Sequence, residues 1–153
     1  MNSEITRLVD GGPISRKVSD KKMLQTLTST VLGFWPNNKF DHFPAPLPVS
    51  LEEKNIYKLE QYPYLICIKS DGTRFLMICF DGKTYMIDRS FNFFQINQNF
   101  DKVIYGSGSN DKCGVLFDGE LVKNKDGKWI YIVHDCICSF NKDVSQDNFH
   151  ERY

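Results

Sequence analysis

Apolar residues recur with two different periods along this chain, and the change of period divides it into a helical part and a strand part. Between residues 20 and 32 they return every three or four positions, which predicts a helix with Asp20 as its N-cap. Ser50-Leu51-Glu52-Glu53 has the spacing of a capping box, which predicts a second helix from Ser50 to about Glu60. The inward-facing positions expected of the first helix are Leu24, Leu27 and Val31.

Beyond Gln61 the pattern changes to short β-branched and aromatic runs separated by turn residues, which predicts an antiparallel sheet. The Asp-Gly pairs at 71–72, 81–82 and 126–127 each lie between two runs, where tight hairpins with positive φ are expected. The sequence also predicts a flexible loop at residues 106–110. The predicted strands are residues 64–68, 74–80, 84–88, 91–96, 114–122 and 129–137.

The fold class predicted from these elements is α+β, with an antiparallel sheet and flanking helices. Residues 1–18 are polar and are expected to form an extended or poorly ordered leader. Residues 19–153 then form one domain, with a helical start at 19–60 and a sheet region at 61–140.

Composition narrows the class of protein. With 153 residues and 41% hydrophobic content the chain can bury a core, and 19 basic against 19 acidic residues disfavour a strongly basic nucleic-acid-coating protein. The longest apolar run, residues 75–80, is far shorter than the ~20 residues of a membrane-spanning helix, so a soluble protein without a membrane partner is expected. The amino terminus has no secretory pattern, and five cysteines, mostly inside apolar runs, predict buried free thiols in a reducing compartment.

A lysine and an arginine frame the first Asp-Gly pair. Lys69 ends one predicted strand, and Arg74 begins the next. If both face one pocket lined by apolar neighbours, lost hydration and the second cation favour a neutral, nucleophilic amine at Lys69. The alternative is an exposed hairpin whose lysine is merely solvated, since the chain also uses Asp-Gly as a plain turn elsewhere.

The whole hexad from Lys69 to Arg74 resembles the Lys-x-Asp-Gly-x-Arg motif of the covalent nucleotidyltransferases, a family of mRNA capping guanylyltransferases and ATP-dependent DNA and RNA ligases. Residues 116–122 are similar to that family's strand ending in Asp-Gly-Glu-Leu. Residues 85–89 resemble a capping-enzyme segment ending in Ile-Asp-Arg, and residues 43–51 resemble its Phe-Pro-Gly-x-x-Pro-Val-Ser stretch. The last two segments favour capping over ligation.

The resemblance implies a partial nucleotidyltransferase domain, of the ATP-grasp-like ligase and capping kind, and an activity. Lys69 would attack the α-phosphate of GTP, hold GMP covalently and pass it to the 5′-diphosphate end of RNA. Arg74 and Arg89 match positions that would hold the ribose and phosphates of the nucleotide. Glu120 matches a carboxylate that would bind the ribose or place a divalent metal, and Mg²⁺ or Mn²⁺ is implied as cofactor.

Two further residues are matched downstream. Residues 131–136 resemble the family's Phe-x-Val-Phe-Asp segment, with His134 where an aromatic ring stacks on the purine. Arg152 resembles a family position after this strand.

Several expected parts of the family have no match in this sequence. The resemblance covers roughly residues 40–153, and the later Glu-Gly-x-Val-x-Lys and Lys-x-Lys strands and the OB-fold domain are missing. The chain is therefore expected to be a fragment, a split gene product or a degenerate copy, whose missing motifs come from a C-terminal remainder or a partner chain. Two alternatives to a guanylyltransferase stay open: an ATP-dependent polynucleotide ligase, and a non-catalytic nucleotide-binding or regulatory subunit. An intracellular location is expected, in the nucleus or, for a viral enzyme, in the cytoplasm.

Overall fold

Eight strands form one antiparallel sheet in the computed structural model, which describes residues 4–34, 43, 45, 49–98, 100, 104 and 114–152. Along the sheet the order is β1-β2-β5-β4-β3-β6-β7-β8. The strands are β1 (Glu4–Arg7), β2 (Ile14–Lys17), β3 (Thr73–Phe80), β4 (Lys83–Ile87), β5 (Phe93–Ile96), β6 (Val115–Lys123), β7 (Trp129–Ser139) and β8 (Lys142–Asp143). The helices are α1 (Lys21–Gly33), α2 (Lys58–Gln61) and α3 (Phe149–Arg152). The predicted antiparallel sheet with flanking helices is confirmed.

Helix α1 forms as its sequence predicts. The side chain of Asp20 accepts a hydrogen bond of 2.8 Å from the Met23 amide, which satisfies one of the unpaired donors of the first turn. Leu27 and Val31 are fully buried and belong to the core cluster on one face of the sheet. The other buried members of that cluster are Ala45, Leu76, Ile78, Tyr85, Ile87, Phe93, Leu116, Ile137 and Cys138.

The alternation of side chains along β3 and β6 separates this α1 face from the opposite face of the sheet. Phe75, Met77 and Cys79 point to the opposite face and pack with Met86 and Val115. A cavity of about 790 Å³ opens on that side. Its lining includes Met77, Met86, Phe117, Trp129 and Tyr131, and none of the predicted site residues.

Several predicted elements are wrong. Residues 64–68 form no strand, and the helix expected from Ser50 to Glu60 is reduced to α2, because turns occupy residues 53–57. With no strand before it, the Asp-Gly pair at 71–72 makes no hairpin, and Gly72 does not have a positive φ. Residues 4–17 form an ordered hairpin, β1 and β2, which joins the sheet through β5.

The other two Asp-Gly turns are confirmed. Asp81 and Gly82 have φ values of 50° and 70° between β3 and β4, and Gly127 has a φ of 77° between β6 and β7. The loop predicted at 106–110 lies outside the described residues. Among the helices that are described, none has the length and apolar character needed to cross a membrane.

Candidate active site

The lysine of the hexad lies in an irregular segment, not at the end of a strand. The Lys69 side chain is 87% exposed, and Ile66 and Ile68 before it are 99% and 94% exposed. Lys69 Nζ donates a 3.3 Å hydrogen bond to the Ser70 carbonyl and lies 3.9 Å from the Asp71 carboxylate. The apolar pocket expected around this amine is therefore absent from the described residues, since the strand that would have formed one wall does not form.

Ser70 connects this segment to the sheet. Its hydroxyl donates a hydrogen bond to Glu120 Oε2 and lies 3.2 Å from His134 Nε2. His134 Nε2 lies 3.9 Å from the same carboxylate oxygen. Three groups that are distant in sequence thus meet directly beside Lys69, and two of them, Glu120 and His134, are predicted site residues.

A β-bulge explains how His134 reaches this point. Asp118 pairs with Asp135 and Gly119 pairs with Val133, so His134 is an extra residue on β7. A bulge bends the strand locally and changes the direction of the extra side chain. The imidazole is 37% exposed, so one side of the ring remains accessible to a ligand.

Arg74 is held by a carboxylate that the sequence reasoning assigned no role. Its Nε donates a 2.9 Å hydrogen bond to Asp118 Oδ1, and its Nη2 pairs with Asp118 Oδ2, a bidentate arrangement. The guanidinium carbon also lies 5.5 Å from the centre of the Phe43 ring. The Asp118 hydrogen bond raises the pKa of Arg74, and burial opposes this rise. The pair therefore fixes the direction of the guanidinium plane.

The register of the strands brings Arg74 and Glu120 to one face. They are direct partners in the β3–β6 ladder, and Asp118, two residues earlier on β6, shares the face. Asp118 could have been found from this alternation once the two strands were paired. Ser70 could not, because its contacts depend on the path of an irregular segment.

Arg89 lies in the turn between β4 and β5. Asp88 Oδ1 accepts hydrogen bonds from the Ser90 and Asn92 amides, at 2.9 and 2.8 Å, which holds the turn. Ile87 pairs with Leu76, so the turn lies at the end of the sheet where β3 begins. Arg89 is exposed there, and the hydrogen bonds and ion pairs of Lys69 and Glu120 within the described part of the chain do not involve it.

Gly72 in the Lys69 hexad and Gly119 in the Asp-Gly-Glu strand allow close packing around β6. A Cβ on Gly72 would overlap the Leu121 carbonyl oxygen, and a Cβ on Gly119 would lie 2.7 Å from the Tyr131 ring. Tyr131 donates a 2.8 Å hydrogen bond to the Phe75 carbonyl, and burial raises its pKa well above the usual value. These positions need glycine for space, and Gly72 controls how closely the Lys69 segment approaches β6.

Arg152 pairs with the residue after His134. Its Nη2 lies 3.3 Å from Asp135 Oδ2, and its Nη1 donates a 3.2 Å hydrogen bond to the Ser145 carbonyl. Burial raises the pKa of Asp135, while Arg152 and the Cys136 amide oppose the rise. Helix α3 is thereby attached to β7 next to the bulge.

No group of three or more histidine, cysteine or acidic side chains surrounds a common point in the described ranges. Of the two β6 carboxylates, Asp118 is engaged by Arg74, whereas Glu120 contacts a hydroxyl and an imidazole among the residues that the structure describes. Cys67 is exposed, contrary to the expectation of a buried thiol, while Cys79, Cys136 and Cys138 are buried, and Cys113 is not described.

Comparison with known proteins identifies the family. Residues 9–153 match the family described as mRNA capping enzyme, catalytic domain. The chain is 33% identical over 135 residues to mRNA-capping enzyme subunit alpha of Schizosaccharomyces pombe, covering 77% of this chain and 31% of that protein. It is 36% identical over 115 residues to the mRNA-capping enzyme of Danio rerio, covering 72% of this chain and 19% of that protein.

A third relative is also an mRNA-capping enzyme. The chain is 35% identical over 96 residues to the mRNA-capping enzyme of Caenorhabditis elegans, covering 63% of this chain and 15% of that protein. The chain thus spans less than a third of the length of each of these relatives. Because the family match runs from residue 9 to residue 153, the chain belongs to the mRNA capping enzyme catalytic-domain family.

Proposed function

We propose that this chain carries the nucleophile part of an mRNA guanylyltransferase. The observation that carries the proposal is the meeting of the Lys69 hexad with the Asp-Gly-Glu strand, where Arg74 and Glu120 are ladder partners and Ser70 contacts Glu120. Membership of the mRNA capping enzyme family, and relatives that are mRNA-capping enzymes, support GTP and an RNA end as substrates.

The proposed reaction has two displacements at one phosphorus atom. Lys69 Nζ, after losing its proton, attacks the α-phosphate of GTP; an N–P bond forms, the bond to the β-phosphate bridging oxygen breaks, and pyrophosphate leaves. An oxygen of the 5′-diphosphate RNA end then attacks the same phosphorus. The N–P bond breaks, and the amine of Lys69 is released and takes up a proton.

The surrounding residues have separate roles in this proposal. Arg74, oriented by Asp118, and Arg89 hold the ribose and phosphates of the nucleotide, for which planar guanidinium groups are suited. His134 presents its ring to the purine from the bulge, and Glu120 binds the ribose or the metal.

The donor set near Lys69 fits a metal that arrives with the nucleotide. Mg²⁺ is often held by one or two carboxylates together with phosphate oxygens and water. Glu120 can supply one such carboxylate, and Mg²⁺ or Mn²⁺ would neutralise charge on the departing pyrophosphate. Lys69, Glu120 and Arg74 would then face the same triphosphate.

The exposure of the nucleophile supports a site that further polypeptide completes. Lys69 and the apolar segment 64–68 before it are largely exposed, although closing a transfer site normally excludes water. We propose that the additional parts of a capping enzyme, supplied as a C-terminal remainder or a partner chain, cover this exposed segment. The partial nucleotidyltransferase domain expected at residues 19–153 then also includes the hairpin of residues 4–17, which belongs to the same sheet. The eukaryotic origin of the relatives supports a nuclear location.

The test is nucleotide choice. The purified chain is incubated with Mg²⁺ or Mn²⁺ and either GTP or ATP, and the intact mass is measured. A GMP adduct that depends on the metal supports the proposal. An AMP adduct instead favours a polynucleotide ligase. If neither nucleotide gives an adduct, in this chain or in a longer polypeptide that contains it, the proposal is contradicted and a non-catalytic nucleotide-binding subunit is favoured.

A further inference from the structure

The side chain of Ser70 attaches the irregular segment that carries Lys69 to the sheet. Within the described part of the chain, no hydrogen bond or ion pair joins residues 63–70 to the sheet except those of the Ser70 hydroxyl. Tyr64, Leu65, Ile66 and Ile68 are all more than half exposed, so side-chain packing adds little restraint. Among the described residues, Ser70 therefore supplies the side-chain hydrogen bonds that attach this segment to the sheet.

The Ser70 contacts reach two neighbouring strands at once. Glu120 lies on β6 and His134 on β7, and the hydroxyl lies between them. As a donor to the carboxylate and an acceptor from an Nε2–H group, one hydroxyl satisfies both partners. A hydrogen bond to a charged group contributes more than a neutral one, so the serine is well suited as an anchor.

The same geometry argues against a hydrolytic role for this Ser, His and Glu set. In a serine triad the carboxylate orients the histidine through the ring nitrogen that does not face the serine. Here Glu120 Oε2 lies 3.9 Å from Nε2, the nitrogen that faces Ser70, and the carboxylate also binds the serine directly. The arrangement holds Ser70 in place instead of activating it.

We propose that Ser70 is a positioning residue that fixes the backbone of Lys69 by hydrogen bonding to Glu120 and His134. The inference rests on the proposed function, because its consequence concerns the attack of Lys69 on the α-phosphate. A fixed backbone leaves only the lysine side chain to be oriented, and small misplacements of a reacting group can cost about 10²-fold in rate. Ser70 thus acts through the position of Lys69, since its hydroxyl is engaged by Glu120 and His134.

The test compares Ser70→Ala with Ser70→Thr, which keeps the hydroxyl, and with Ser29→Ala, which removes an exposed hydroxyl from α1. The first readout is the rate of GMP-adduct formation at saturating GTP. Ser70→Ala is expected to slow it at least tenfold without changing the GTP concentration that gives half the maximal rate, and Ser70→Thr is expected to restore it. Ser29→Ala should match the unmodified chain.

The second readout is independent of any activity. Backbone ¹⁵N order parameters of Lys69 and Ser70 are expected to fall toward the range of flexible chain, below about 0.6, in Ser70→Ala alone. If neither the unmodified chain nor a longer polypeptide that contains it forms an adduct, the proposed function fails, and the order parameters still decide whether Ser70 holds the segment. Unchanged order parameters in Ser70→Ala overturn the inference, as does an unchanged adduct rate when the order parameters fall.

Discussion

The ion pair between Arg74 and Asp118 is expected to contribute to folding as well as to the orientation of the arginine. The two side chains are 17% and 8% exposed, and the pair is bidentate. Asp118→Asn removes the charge while keeping the size of the side chain and one oxygen acceptor. Arg74→Met removes the guanidinium while keeping an unbranched stem. The two changes and their combination form a double-mutant cycle.

The expected magnitude follows from the burial of the pair. Removing one partner of a buried ion pair typically costs about 3–5 kcal/mol, because it leaves an uncompensated charge. The partial exposure of Arg74 and its contact with the Phe43 ring lower this, so Asp118→Asn should reduce the free energy of unfolding by about 2–3 kcal/mol. The double variant should lose about 2 kcal/mol less than the sum of the single variants.

Urea unfolding of the four proteins at neutral pH, followed by circular dichroism, measures this coupling. The m value must stay constant across the set, so that midpoint differences report stability. Strict additivity, with a coupling energy below about 0.5 kcal/mol, would refute the idea that the pair is a fixed unit. If high salt lowered the coupling energy of the Arg74–Asp118 pair below about 0.5 kcal/mol, the pair would be exposed to solvent, contrary to the observed burial.

Three other variants or reagents test separate features of the structure. Gly72→Ala should lower the free energy of unfolding, measured with urea, by about 1–3 kcal/mol, because a Cβ there overlaps the Leu121 carbonyl oxygen. Its control is Gly33→Ala on α1, where a Cβ would meet open space; this variant should be neutral or more stable by up to about 1 kcal/mol. Asp135→Asn should become more stable relative to the unmodified chain as the pH rises from 4 to 7. A maleimide at pH 7 should modify the exposed Cys67 much faster than Cys136 and Cys138 on β7, because burial raises the pKa values of these two thiols to about 11 and about 12. Peptide mass analysis of the labelled chain measures the difference.

The sign of the Asp135 prediction follows from its raised pKa. Between the ordinary pKa of an unfolded aspartate and the higher pKa of the folded state, the folded chain binds more protons, so its stability falls as the pH rises. An asparagine has no such dependence. A stability difference that moves in the other direction with pH would contradict burial as the dominant cause. Equal costs of Gly72→Ala and Gly33→Ala, or equal labelling of all the described thiols, would contradict the packing described here.

The sequence was sufficient to predict elements whose partners are local or periodic. Helix α1 follows from its apolar spacing and from Asp20, and the confirmed turns follow from Asp81-Gly82 and Gly127, because the short-range chemistry decides these conformations. Residues 64–68 show the limit. Their β-branched and aromatic content favours a strand, but a strand also needs a hydrogen-bonding neighbour, and the described sheet offers none to this segment.

The candidate site was predictable to a similar extent. Family-like spacing pointed to Lys69, Arg74 and Glu120, and β3–β6 pairing brings the last two together. Contacts that depend on irregular backbone could not be predicted. The bulge that turns His134 toward Ser70 is a register change on β7, and no periodic pattern in the sequence marks it.

The most direct test of the central claim is to locate the covalent adduct. The chain is incubated with GTP and Mn²⁺, digested and analysed by peptide mass spectrometry, with Lys69→Ala as the variant and Lys83→Ala, an exposed lysine on β4, as the matched control. We expect GMP on Lys69 in the unmodified chain and in Lys83→Ala, and no adduct in Lys69→Ala. An adduct on another residue, or one that persists in Lys69→Ala, would contradict the assignment of Lys69 as the nucleophile.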